Sequence, residues 1–272
     1  LASAYCRGGG KPVMDLDTVL STLREKGKPN TAKIYARHGA KDPTLGVSYS
    51  DLDKLVKAIK QDHALALALW ASGIHDARVL ATKIADPEAF TTDTLDAWLA
   101  AALDYVIEGA VATLAARRKD ALSIGLRWID LPGEFASTAG WFVLSGVAAR
   151  GDLPEKDAAR LLKRIEKNIH GAQNRTRYGM NGALISIGGY IESLRPQALE
   201  AARVIGKVEV DHGETNCKTP DATEYITKMA AHHAKRAGGA KSAATRAAPA
   251  KKAPAKKTAA KDKPKASTSR GA

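Results

Sequence analysis

The stretch Val208 to Asp221, VEVDHGETNCKTPD, places Asp211, His212, Glu214 and Cys217 within seven residues, and His232 and His233 follow. Oxygen, imidazole and thiolate donors at such density suit a divalent metal. The spacing argues against that use, because neither a Cys-x-x-Cys pair nor a His-Glu-x-x-His signature occurs; no metal and no cofactor is expected. The stretch reads instead as a structured loop in which Thr219-Pro220-Asp221 caps a final helix, with Pro220 in its first turn. Basic side chains gather at Arg117-Arg118-Lys119, at Lys163-Arg164 and at Arg175-Thr176-Arg177, each able to hold a phosphate. For the first two groups a solvated charged face explains the residues equally well. The third precedes YGMNGALISIGGY, a run of small residues that lets another backbone come close. Walker loops, dinucleotide fingerprints and nucleophile elbows are absent, and Gly8-Gly9-Gly10-Lys11 lacks the strand a phosphate loop needs.

The net charge of +13 is uneven. From Lys235 onward there are 12 basic residues against Asp262 alone, a net of +11, which leaves the body at only +2. Hydrophobic residues make up 44%, mostly Ala and Leu, and aromatics only 5%, a balance that favours helix over sheet. Cys6 and Cys217 lie far apart in unlike surroundings, which argues against a disulfide framework and for a reducing cytoplasm. No apolar run is long enough to span a bilayer, so no membrane partner is expected. Residues 1–13 carry Arg7 and a glycine triplet but no apolar core, so a secretory signal is not expected, and Met14 is the expected translation start.

These groups must be positioned by helices. Apolar residues recur at helical spacing in segments separated by short breaks of Gly, Pro, Asp or Thr. Leu16, Val19, Leu20 and Leu23 form a first stripe that Gly27 ends; Asn30 is expected to cap a second helix, and Ser48 or Ser50 a third bearing Leu52, Leu55, Val56 and Ile59. Further helices are predicted near 63–72, 75–85, 92–103, 105–118, 119–129, 134–149, 155–169, 174–189, 195–205 and 220–236. Short links between helices of this length imply antiparallel pairs stacked side by side, an α-solenoid, with a compact helical bundle as the alternative. Trp70, Trp98, Trp128 and Trp141 lie on Leu- and Ala-rich helices and are expected in the core. Residues 237–272 contain no Leu, Ile, Val or aromatic residue and are expected to be disordered, like residues 1–13. The tail's Lys251-Lys252 and Lys256-Lys257 elements resemble linker-histone tails, which neutralise DNA phosphates without reading bases, with a tail that serves solubility alone as the alternative.

Between Leu45 and Trp128 the text, with LGVSYSDLDKLVKAIKQDH and LALALWASGIHDARVLATKIADPEAFTTDTLDAW, resembles the AlkD-like DNA alkylation repair family, most specifically at Leu69-Trp70, His75-Asp76-Ala77-Arg78 and Asp86-Pro87. The resemblance covers the layout of most of residues 14–205. It implies an all-α fold of HEAT-like stacked helix pairs that cradles damaged duplex DNA, and excision of 3- and 7-alkyl purines held against the concave surface. Members use a carboxylate to stabilise the charge that develops as the glycosidic bond breaks, with aromatic walls and cations about it. Their Trp-Asp-x-x-Asp element falls here on Tyr105 to Gly109, so Gly109 stands at the aspartate. A family arginine falls on Thr138 and a later tryptophan near Gly182.

The expectation is therefore a divergent branch: a monomeric protein binding double-stranded DNA, damaged or intact, on the concave face of residues 14–236, in a bacterial cytoplasm and with the nucleoid. The candidate DNA contacts are Tyr35, at a family aromatic position, and Tyr105, Arg117, Arg118, Arg175, Arg177, Lys251, Lys252, Lys256 and Lys257. For Tyr35 a core tyrosine with a satisfied hydroxyl is the competing explanation. Two alternatives stand beside it: an active alkylpurine glycosylase in which Glu108 or Asp104 replaces the missing aspartate, and a HEAT-like scaffold for protein or RNA.

Overall fold

A computed structural model describes the backbone of residues 14–247 and the side chains of residues 14–235. Among the described residues the chain is all α, with thirteen helices and no strand. They are α1 (Leu16–Lys26), α2 (Pro29–Arg37), α3 (Tyr49–Ile59), α4 (His63–Ala71), α5 (His75–Ile84), α6 (Thr92–Ala100), α7 (Tyr105–Ala115), α8 (Ala121–Trp128), α9 (Glu134–Arg150), α10 (Glu155–Asn168), α11 (Asn174–Tyr190), α12 (Arg195–Ile205) and α13 (Ala222–Ala247). The chain divides into two units, Leu1–Ala231 and His232–Ala272. The described backbone of the second is the later part of α13.

Short polar side chains set five of the helix starts in the first half of the stack. Asp15, Ser48, Asp62, Thr91 and Asp104 each accept a backbone N–H from the first turn that follows. Asp104 accepts two, from Val106 and Ile107, and α7 begins at Tyr105, where the sequence places it. Two caps differ from expectation. The second helix begins at Pro29, with Lys28 rather than Asn30 at its cap, because a proline in the first turn loses no hydrogen bond. Of the expected Thr219-Pro220-Asp221 cap, Asp221 accepts the Glu224 N–H at 2.8 Å, and Pro220 lies before the helix and not in its first turn.

Gly27 also serves differently from a left-handed cap. Its φ is −62°, and a Cβ there would lie 2.5 Å from the Leu45 carbonyl oxygen, so the residue is small because the 42–47 segment crosses over it. Gly46 is required twice, by a φ of +75° and by contact with the Lys28 carbonyl and the Ala32 amide.

The packing order decides between stack and bundle. Helices α5, α7, α9 and α11 pack each on the next, while α4, α6, α8 and α10 pack on their successors in the chain, and α12 closes on α10 and α11. A two-layer stack of helix pairs results, as short links between amphipathic helices require. The four tryptophans are buried, Trp128 and Trp141 completely. Gly179 of α11 lets that helix approach Thr138 and Trp141 of α9, the close contact the small-residue run implies.

The composition of the text from residue 237 leads to an expectation of disorder, yet α13 continues to Ala247. Ala, Lys and Arg are strong helix formers even where there is no core to join, and propensity here outweighs the lack of apolar residues. Residues 1–13 and 248–272 lie outside the described residues.

Candidate functional site

The stack brings four helix beginnings into one row. His75 opens α5, Tyr105 opens α7, Glu134 opens α9 and Asn174-Arg175 opens α11. Aligned peptide dipoles leave partial positive charge at such ends, which favours anions nearby. Glu134 uses this directly: its Oε1 accepts the Arg175 N–H at 2.5 Å, tying α9 to α11.

Arg175 is the centre of the arrangement. Its guanidinium carbon lies 4.5 Å from the Tyr105 ring centroid and 4.7 Å from that of Tyr178, so the cation is held between two aromatic rings. Its Nε is buried without a partner, and no described carboxylate forms an ion pair with it. The Tyr105 hydroxyl is in turn hydrogen-bonded to His38 Nδ1. Burial pushes the Tyr105 phenol upward, the Cys217 thiol adds to that rise, and Arg175 opposes it.

The 206–221 loop is strapped across the same place by three side chains of α11. Asn174 donates to the Asp211 carbonyl at 2.8 Å and accepts the Asp211 N–H at 2.7 Å. Arg177 donates to the Glu209 carbonyl at 2.9 Å, and Asn181 to that of Pro220 at 2.9 Å. These anchors sit at i, i+3 and i+7, one face of a helix. The loop thereby brings His212 edge-on to Tyr178, with ring centroids 5.6 Å apart. Its metal-type donors do not converge: among the described residues no group of three or more His, Cys, Asp or Glu could hold a metal ion.

Behind Arg175 lie the two candidate carboxyls. Glu108 is 0% exposed and neither oxygen has a partner. Burial pushes its carboxyl well above the usual range; Arg175 pulls the other way, and the charges of Glu134 and Asp104 add to the rise. Asp104 is 2% exposed and occupied with capping α7. Burial alone would raise its carboxyl, but the neighbouring His75 imidazole, 3.7 Å away, and the Ile107 and Val106 amides hold it below the ordinary value.

Gly109, at the family's aspartate position, opens instead onto a groove of about 580 Å³ bordered by Tyr49, Val79, Tyr105, Thr113 and Arg117. A Cβ at Gly109 or at Gly182 would meet nothing within 4 Å. Thr138, at the arginine position, is buried and donates its hydroxyl to the Glu134 carbonyl at 2.7 Å.

The remaining candidates fall into two groups. Arg117 is exposed on the groove, with Nη2 donating to the Thr82 carbonyl at 2.8 Å. Arg118 is 8% exposed and directed inward: it donates to the carbonyls of Pro87 and Phe90 and grips Asp120 with two nitrogens. Tyr35 is half-buried, gives its hydroxyl to the Val47 carbonyl at 2.6 Å and has its phenol pushed up to about 12, chiefly by burial. Lys251, Lys252, Lys256 and Lys257 lie outside the described residues. Tyr178, Arg37 and the loop anchors Asn174 and Asn181 were not singled out by sequence reasoning, whereas the third anchor, Arg177, was a candidate DNA contact. The available signal was the i, i+3 relation of Arg175 to Tyr178.

The motif His75-Asp76-Ala77-Arg78 proves architectural. The buried Asp76 carboxylate accepts the N–H groups of Leu45 and Val47, at 2.7 and 2.6 Å, and the Thr44 hydroxyl. Arg78 pairs with Asp42 at 2.5 Å and lies over Trp70, whose ring stacks on Trp98 at 4.0 Å.

Comparison with known proteins agrees with this construction. The chain is similar to uncharacterised proteins of Listeria innocua and Listeria monocytogenes, 35% identical to each over 219 residues, which is 78% of this chain and 95% of theirs. It is also similar to a solved structure described as a new family of proteins related to the HEAT-like repeat DNA glycosylases with affinity for branched DNA structures. That likeness has a TM-score of 0.73 and 30% identity and covers 79% of this chain and 93% of the other. The stacked helix pairs are thus of the HEAT-like kind. Residues 19–226 match the model of the DNA alkylation repair enzymes, and the chain belongs to that family.

Proposed function

We propose that the chain binds DNA, double-stranded and branched, across the row of helix beginnings on the concave face of the stack. Arg175, Arg177, Arg117 and Tyr105 supply contacts there, and the basic terminal residues, Lys251, Lys252, Lys256 and Lys257 among them, add affinity that ignores sequence. The observation that carries this reading is the unpaired Arg175 guanidinium fixed between Tyr105 and Tyr178. A planar cation already immobilised loses little entropy on gripping a phosphate, and among the described residues no carboxylate is ion-paired with it. The affinity for branched DNA attributed to the similar structure supports the same partner. The reading takes the chain to act as a monomer and to associate with the bacterial nucleoid.

Base excision by Glu108 or Asp104 is not part of the proposal. A general electrostatic role needs a carboxylate at the sugar, and these two are enclosed. Fluorescence anisotropy with labelled plain duplex and a four-way junction, from low to physiological salt, tests the binding. Salt-sensitive binding of both is expected, and no binding even at low salt would overturn the reading. In parallel, methylated duplex should release no alkylated purine above background.

A further inference from the structure

Beneath the strapped loop lies a cleft of about 290 Å³, lined among others by Arg37, Tyr105, Arg175, Tyr178, His212 and Cys217. Its size is that of one nucleotide and excludes a duplex. Its chemistry is matched to one as well. Arg175 presents an unpaired planar fork, Arg37 adds a second cation without a described partner, and the tyrosine rings with the edge-on His212 form an aromatic wall. The single acidic side chain at the cleft, Asp211, folds back to accept the Gly213 N–H at 2.8 Å, closing its own turn. Anchoring of the loop by Asn174, Arg177 and Asn181 makes the cleft a built feature of α11.

We propose that this cleft is a site for a single unpaired nucleotide, its phosphate on Arg175 and Arg37 and its base against the Tyr178 and His212 rings. The proposal rests on the DNA-binding reading and refines it: junctions and bulges offer strands that have left the stack, whereas plain duplex offers none. Base stacking on an aromatic surface tolerates any base identity, so the site reads structure and not sequence.

The test uses the full chain with two labelled DNAs, a plain duplex and the same duplex carrying one unpaired 2-aminopurine. The bulged DNA should bind about tenfold more tightly, as one stacked base implies, and 2-aminopurine fluorescence should be quenched on binding. Tyr178→Leu and Arg175→Lys, the latter keeping charge without the planar fork, should abolish the preference and the quenching, whatever their effect on overall affinity. Cys217→Trp, which fills the cleft and leaves Arg175 in place, should do the same and guards against a variant that fails to fold. Tight binding of both DNAs with no preference, or with unquenched 2-aminopurine, overturns the cleft and spares the DNA reading. Failure to bind either DNA overturns both.

Discussion

Glu108 shows how a buried side chain can follow a family pattern closely in sequence and still be remote from its chemistry. One residue separates it from the aspartate position, yet about 100° of helix rotation carries the side chain from the groove into the interior. Enclosed without partners, it stays protonated far above the pH at which an exposed carboxyl ionises. The folded chain therefore binds a proton that the unfolded chain releases, and stability falls as pH rises above the unfolded value, near 4.5, toward the raised folded one. Glu108→Gln removes that titration while keeping size and polarity. Its melting temperature should exceed the parent's at neutral pH by a margin that shrinks on acidification toward pH 4. Parallel melting curves for the two proteins across this range would discount the buried neutral carboxyl. Arg118 teaches the companion lesson: adjacent to the exposed Arg117 in sequence, it faces the opposite way and is spent on the 87–90 turn.

Elements explain why the fold was more legible than the site. Apolar periodicity, Asp and Ser caps and Pro breaks report local preferences, and the helices of the first unit appear near where those preferences place them, with ends that differ by a few residues. The site depends on which helix beginnings become neighbours, information that exists only after stacking. Tyr105 and Arg175 are 70 residues apart, and no spacing rule relates them, although each was a candidate alone. The 208–221 text looked unusual because it has to be held against α11, and the residues that hold it, Asn174 and Asn181, carry no motif of their own. Asp104 connects the two levels, for its cap starts α7 and so fixes the direction of Tyr105. Asp104→Ala should cost about 1 to 2 kcal/mol in denaturant unfolding. Asp104→Asn, which can still cap, should recover most of that loss; equal destabilisation by both would show that the His75 neighbourhood, and not the cap, sets the role.

At the scale of the whole molecule, the proposed DNA contacts are divided between the stack and the terminal cations. The body is nearly neutral in total, so its selectivity has to come from a few fixed groups, whereas residues 248–272 carry eight basic residues and one acid in text without Leu, Ile, Val or aromatic residues. Lysines of that kind bind by releasing counterions from phosphates, with each contact steepening the fall of log K against log salt by about 0.9. Counterion release senses charge density and is blind to whether a nucleotide is stacked. Deleting residues 248–272 should consequently flatten the salt slope by several such increments and weaken plain and bulged DNA by the same factor. The preference ratio set by the Arg175 cleft should survive the deletion. Loss of the ratio with the deletion, or a slope that does not change, would assign the discrimination or the affinity to the opposite part of the chain, and anisotropy titrations at four salt concentrations separate those outcomes.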